Sequence, residues 1–149
     1  MKVLKGNIWK YKDRGYIVIP TNGFVKKNGE AVMGAGLAKQ SKEKFPDLPK
    51  RLGEHIEGQG NVIKVFNEYG LITFPVKTNW WENANLDLIW KSALTLAKEF
   101  DEPYNLGADI NIYMPKVGCG NGKLNWKEVE PIIKNQLGHI VTIVDWSKK

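Results

Sequence analysis

The run Tyr16-Ile17-Val18-Ile19 is continuously apolar, and a strand without a polar face has to be covered on both sides. Helices supply that cover most readily, so the run points to an α/β architecture. Directly after it, Pro20-Thr21-Asn22-Gly23 opens a loop, and Val32-Met33-Gly34-Ala35-Gly36-Leu37-Ala38 passes through two glycines into good helix formers. Glycines let a ligand approach the backbone, and the free N–H groups of a first helical turn favour an anion. The plan recurs downstream in Met114-Pro115-Lys116-Val117-Gly118-Cys119-Gly120-Asn121-Gly122, ahead of a helix beginning near Asn125. Two such loops at the carboxyl ends of strands can face each other across one crevice, where open α/β sheets bind nucleotides.

The 149 residues fit one domain spanning 1–149, long enough to bury about 70% of the unfolded surface around one core. Hydrophobic residues at 42% and charged residues at 26% suit a water-soluble fold. No apolar run approaches the length of a bilayer span, and Met1-Lys2-Val3-Leu4-Lys5-Gly6 lacks the apolar stretch of a signal peptide, so a cytoplasmic protein with no membrane partner is expected. The single Cys119 agrees with a reducing compartment and removes a cysteine-based metal site. Since no His, Asp, Glu and Cys cluster has ligand spacing, no metal and no cofactor are expected. Lys and Arg outnumber Asp and Glu by 22 to 16, a net charge of +6. The excess attracts polyanions, yet it is spread along the chain as on a solvated surface rather than gathered in a basic groove.

In chain order, a short edge strand is expected at residues 2–4, leaving the sheet at Gly6, and a strand at 16–19 whose ladder Pro20 ends. Residues 35–45 form a helix stopped by Pro46 and Pro49, and Pro49 can start a short helix over 49–56. Strands at 61–66 and 71–74 are joined by the tight hairpin Asn67-Glu68-Tyr69-Gly70, and an aromatic loop runs from Pro75 through Trp80 and Trp81. Asn83 or Asn85 caps a helix whose Leu86, Ile89, Ala93, Leu96, Ala97 and Phe100 share one face, and Asp101-Glu102-Pro103 breaks it. A strand follows at 109–114. Asn125 to Glu128 has capping-box spacing before a helix containing Pro131, and residues 139–144 close the chain as a strand. The result is a mixed sheet covered by helices on both faces.

Gly6-Asn7-Ile8, Ile17-Val18-Ile19-Pro20-Thr21-Asn22, Val32-Met33-Gly34-Ala35-Gly36-Leu37-Ala38 with Phe45-Pro46, and Pro115-Lys116-Val117-Gly118-Cys119-Gly120-Asn121-Gly122-Lys123-Leu124-Asn125-Trp126 stand in that order over nearly the whole chain. Together they resemble a macrodomain, nearest the branch of terminal ADP-ribose protein glycohydrolases and DarG-type DNA ADP-ribosyl glycohydrolases. The resemblance implies one three-layer α/β/α macrodomain with a mixed central sheet and an ADP-ribose site. It places Asn7 and Ile8 at adenine, Met33, Gly34, Ala35, Gly36 and Leu37 at the turn that offers helix amides, and Asn22 at the distal ribose. The loop Val117, Gly118, Cys119, Gly120, Asn121 and Gly122 wraps the pyrophosphate. Asn7 stands where the family commonly has Asp, keeping an acceptor without the charge. Ile19 stands where many members carry a second asparagine, which argues against their water-activating mechanism.

By the same resemblance Lys77 is the catalytic residue, attacking the anomeric carbon of the distal ribose. Gly122 stands near the place of an aspartate that assists the lysine in the protein glycohydrolases, whereas antitoxin-like members often read Gly-Asn-Gly as here. That departure and the positive charge favour ADP-ribosylated DNA over ADP-ribosylated protein. The expected protein is therefore an ADP-ribosyl glycohydrolase; its sequence does not give the oligomeric state, and a monomer is presumed. The alternatives are an ADP-ribose 1″-phosphate phosphatase and a non-catalytic ADP-ribose reader. Cys119 has no recognisable base and reads as packing, His55 and His139 read as structural or solvated, and Trp80 and Trp81 read as core or lid residues or as a stacking surface for an unpaired base.

Overall fold

The computed structural model describes residues 1–100 and 110–146. Its strands are β1 Lys2–Lys5, β2 Tyr16–Asn22, β3 Lys64–Phe66, β4 Leu71–Lys77, β5 Ile112–Met114 and β6 Val141–Asp145. They form one sheet in the order β1-β6-β5-β2-β4-β3. All neighbours run parallel except the β3–β4 hairpin, so the sheet is mixed. The helices are α1 Gly36–Lys44, α2 Leu48–Gln59, α3 Leu86–Phe100 and α4 Trp126–Leu137.

The apolar run of β2 is buried on both faces because successive side chains of a strand point to opposite sides. Val18 packs with Ile72, Phe74 and Met114 against Ile89, Ala93 and Leu96 of α3 and Val129 and Ile133 of α4. Ile17 and Ile19 face the other way, into a cluster with Leu71, Val144, and Leu48 and Leu52 of α2. This makes three layers, α/β/α. Each fully buried Ile, Leu or Val contributes roughly 1.5–3 kcal/mol, so neither helical layer can be lost without exposing half the core. Asn85 caps α3, its Oδ1 accepting the Leu88 N–H at 3.0 Å. Asn125 caps α4 by accepting from Lys127 N–H at 3.0 Å, and Pro131 lies within that helix without delaying its start.

Pro20 does not end the ladder of β2. The Ile17 N–H bonds the Gly70 carbonyl on the β4 side, so by alternation the Pro20 nitrogen faces β5, whose pairing with β2 covers only Tyr16 and Ile17. A missing donor there breaks nothing, and β2 continues alongside β4 to Asn22. The same alternation turns Pro75 toward β3, whose pairing with β4 ends at Thr73. The Pro75 carbonyl instead accepts from the Ser92 hydroxyl of α3 at 2.8 Å. β4 therefore extends beyond the expected 71–74, and the aromatic loop begins only after Lys77. β3 is shorter than the 61–66 read from sequence, α2 is longer than 49–56, and β6 is displaced from 139–144. A 3-10 helix over Ile8–Arg14 was not foreseen. The break read at Asp101-Glu102-Pro103 and the start of the strand at Asp109 lie outside the described residues.

Candidate functional site

β2, β4 and β5 are parallel neighbours and end on the same side of the sheet. Around those ends lies a cleft of about 630 Å³, bordered by Thr21 and Asn22 of β2, Val76 and Lys77 of β4, the turn entering α1, and the glycine loop after β5. Trp80 borders it too. The topology thus brings together two glycine loops that are far apart in the chain.

The turn into α1 is built for exposed amides. Ala35, the residue before the helix, is extended and makes no side-chain cap, and no acidic residue lies in the first turn. The first-turn N–H groups of α1 lie at the cleft, with the helix dipole behind them. Gly36 adopts φ +55, and a Cβ on it would come 3.2 Å from the Asn121 amide nitrogen, so the two loops approach each other closely here. Across from it, Gly118 adopts φ +76 and its carbonyl accepts from Leu124 N–H at 2.9 Å. A Cβ on Gly122 would lie 2.5 Å from the Gly118 carbonyl oxygen and 2.7 Å from the Ala84 methyl, so the loop is folded tightly on itself and on the segment before α3. Gly120 differs: nothing stands within 4 Å of where its Cβ would be. Its backbone borders the cleft.

Lys77 sits at the last position of β4, with its Nζ donating to the Trp80 carbonyl at 3.1 Å. Burial lowers its pKa from the ordinary lysine value; the carboxylate of Glu82 works against that shift, and the cation of Lys123 adds to it. Glu82 accepts from the Asn79 N–H at 2.7 Å, and its own N–H donates to the Asn79 carbonyl at 3.1 Å, closing a small turn around Trp80. Lys116 also borders the cleft, but its ammonium pairs with the Asp145 carboxylate at 3.0 Å. The arrangement offers backbone amides for phosphate and one amine whose charge is disfavoured.

Of the residues singled out in sequence, Asn22, Gly34, Ala35, Gly36, Leu37, Lys77, Gly118, Gly120, Asn121 and Gly122 border the cleft together. Asn22 has its amide engaged in the loop beside it, donating to the Val32 carbonyl at 3.1 Å and accepting from Phe24 N–H at 2.9 Å. Asn7, Ile8, Met33, Val117 and Cys119 do not border it. Asn7 starts the 3-10 helix by accepting from Trp9 N–H at 2.9 Å. Ile8 and Met33 are buried in the α2-side core and Val117 in the α3-side core. Ile19 is buried with the first two. The Cys119 thiol donates to the Val117 carbonyl, and burial raises its pKa, which keeps it protonated. Sequence reasoning does not single out Glu82, although the spacing Asn79 to Glu82 is that of a turn closed by an acid, and it gives Lys123 no role beyond its place in the second glycine motif.

Among the described residues, no group of three or more His, Cys, Asp and Glu is placed to hold a metal ion. No helix there is long and apolar enough to cross a membrane.

No family model matches the chain. A DNA ADP-ribosyl glycohydrolase of Mycobacterium bovis is 30% identical over 112 residues, which is 69% of this chain and 31% of that protein. One of Thermus aquaticus is 27% identical over 128 residues, 80% of this chain and 34% of that protein. The alignments thus span about a third of the length of these curated relatives. Among solved structures, the macrodomain of Thermus aquaticus DarG superposes with a TM-score of 0.76 at 24% identity, covering 99% of this chain and 97% of that one. Thermosipho africanus DarTG in complex with ADP-ribose gives 0.76 at 17% identity, over 100% of this chain and 43% of that one.

Proposed function

We propose that this chain, which has the macrodomain fold, binds ADP-ribose in the cleft and hydrolyses its bond to a macromolecule, with DNA preferred over protein. The pyrophosphate lies between the first-turn amides of α1 and the backbone of the Gly118 to Gly122 loop, where anions are stabilised without a lysine clamp. The distal ribose lies toward Thr21, Asn22 and Lys77. Asn7 and Ile8, which the resemblance puts at adenine, lie beyond the residues that border the cleft.

The observation that carries the catalytic reading is the Lys77 amine at the cleft wall, with burial working against its charge. A neutral amine can attack the anomeric carbon of the distal ribose. A bond from Nζ to that carbon forms, and the bond to the acceptor breaks with its electron pair going to the acceptor, which takes up a proton. Water then displaces the lysine and releases ADP-ribose, returning the amine. Preference for DNA is supported by the net charge of +6 and by the relatives named above as DNA ADP-ribosyl glycohydrolases.

The test incubates the purified protein in parallel with mono-ADP-ribosylated DNA, mono-ADP-ribosylated protein and ADP-ribose 1″-phosphate. Release of ADP-ribose fastest from DNA is expected. Phosphate release alone would make the protein a phosphatase, and tight binding with no turnover of any substrate would make it a reader.

A further inference from the structure

Beside the cleft the loop after β4 carries two adjacent tryptophans that the fold leaves largely outside. Trp80 is 52% exposed and Trp81 is 59% exposed. Their rings meet at 89° with centroids 5.4 Å apart, and Phe24 meets Trp81 edge to face at 5.6 Å. Large apolar side chains are exposed at a cost unless something covers them, and three that hold one another in place form a prepared surface. The surface is anchored: the Gly23 N–H donates to the Thr78 carbonyl at 2.9 Å and the Val32 N–H to the Phe24 carbonyl at 3.1 Å, tying the Phe24 loop to its neighbours.

We propose that Phe24, Trp80 and Trp81 form a stacking ledge for an unpaired nucleobase flanking the ADP-ribosylated nucleotide. Trp80 borders both the cleft and the ledge. With the distal ribose beside Lys77, whatever is attached to its anomeric carbon emerges toward Trp80, so the occupant of the ledge belongs to the acceptor macromolecule. This step rests on the ADP-ribose reading of the cleft. The perpendicular rings make a corner in which a flat base can lie on one indole face against the other ring. Every base offers a π-face, but only an unpaired base can present it, so a duplex does not fit.

Charge separates a nucleic acid from a protein partner. Lys123 is near enough to Lys77 to act on it electrostatically, which puts a cation beside the amine. The loop that supplies Phe24 continues into Lys26 and Lys27. Of the acids nearby in sequence, Glu82 accepts from a backbone N–H and Glu30 pairs with Lys26. Lys26, Lys27 and Lys123 outnumber Glu30 and Glu82, so a phosphate backbone crossing the ledge meets a small excess of cations.

The test measures binding of a short unmodified single-stranded DNA of mixed sequence, its duplex, and free ADP-ribose to the wild type, Trp81→Ala and Trp81→Tyr. Trp81 does not border the cleft and is mostly exposed, so the variants keep the fold, which circular dichroism checks. Trp81→Ala is expected to weaken single-strand binding about tenfold or more and Trp81→Tyr to restore most of it, with ADP-ribose affinity unchanged in both. The duplex is expected to bind weakly and without regard to Trp81. Unchanged single-strand affinity in Trp81→Ala, or a duplex whose binding depends equally on Trp81, would overturn the ledge. An ADP-ribosylated peptide losing the same factor on Trp81→Ala would assign the surface to protein and overturn it too. Absence of ADP-ribose binding in the wild type defeats the reading of the cleft, and the unmodified single strand then decides the ledge by itself.

Discussion

The Lys77 ammonium donates to the Trp80 carbonyl at 3.1 Å, so the amine of the last β4 residue is held by the loop that follows it. That loop is closed between Asn79 and Glu82 by a side-chain and a backbone hydrogen bond of 2.7 and 3.1 Å. Position and charge of the amine thus depend on the same short turn. Burial disfavours the ammonium, Glu82 favours it and Lys123 disfavours it.

Opposite shifts in pH dependence follow for two variants. An amine nucleophile gains activity as pH rises through its pKa. Glu82→Gln keeps an oxygen to accept from Asn79 N–H but removes the charge that favours the ammonium, so the rising limb of kcat/KM moves to lower pH. Lys123→Ala removes a cation that disfavours the ammonium and moves the limb to higher pH. Limbs that stay in place in both variants mean that Lys77 does not set the profile.

Gly120→Val tests the glycine loop as a phosphate cradle. The space where its Cβ would stand is free of protein, so the substitution leaves the fold intact and puts a branched side chain into the cleft. ADP-ribose affinity should fall at least about tenfold, equivalent to roughly 1.4 kcal/mol, with little change in Tm. Wild-type affinity in the folded variant removes this loop from the site.

Gly122→Ala should behave in the opposite way. Its methyl would stand 2.5 Å from the Gly118 carbonyl and 2.7 Å from the Ala84 Cβ, an overpacking that costs about 1–3 kcal/mol of stability. Urea unfolding should show a lower midpoint with an unchanged m-value. A midpoint equal to the wild type means the loop is not packed as described.

The layers and both glycine loops were legible because they rest on local signals: an unbroken apolar strand, glycines ahead of helix formers, and apolar residues at helical spacing in α3. Strand ends were less so. Pro20 reads as a terminator and Pro75 as the start of a loop, but what a proline costs depends on which neighbour its nitrogen faces and where that neighbour stops, and both are properties of the assembled sheet. The extension of β4 is also what puts Lys77 on a strand rather than in a loop. Met33 and Val117 were assigned to the site with their motifs, yet their apolar side chains serve the two cores while neighbouring residues border the cleft. The influence of Glu82 and Lys123 on Lys77 arises from loops that converge only in the fold, and no spacing in the chain announces it.

The central claim is that Lys77 acts as the nucleophile. Lys77→Arg keeps a cation but has no usable lone pair, whereas a role confined to attracting or orienting the ribose tolerates the replacement. The direct measurement is single-turnover release of ADP-ribose from the best of the three candidate substrates by wild type, Lys77→Arg and Lys77→Ala, with ADP-ribose affinity measured alongside. Both variants should release ADP-ribose at least about a hundredfold more slowly, a loss of roughly 2.7 kcal/mol of transition-state stabilisation, while Lys77→Arg binds ADP-ribose nearly as well as the wild type. Lys77→Arg turning over at close to the wild-type rate would contradict the claim.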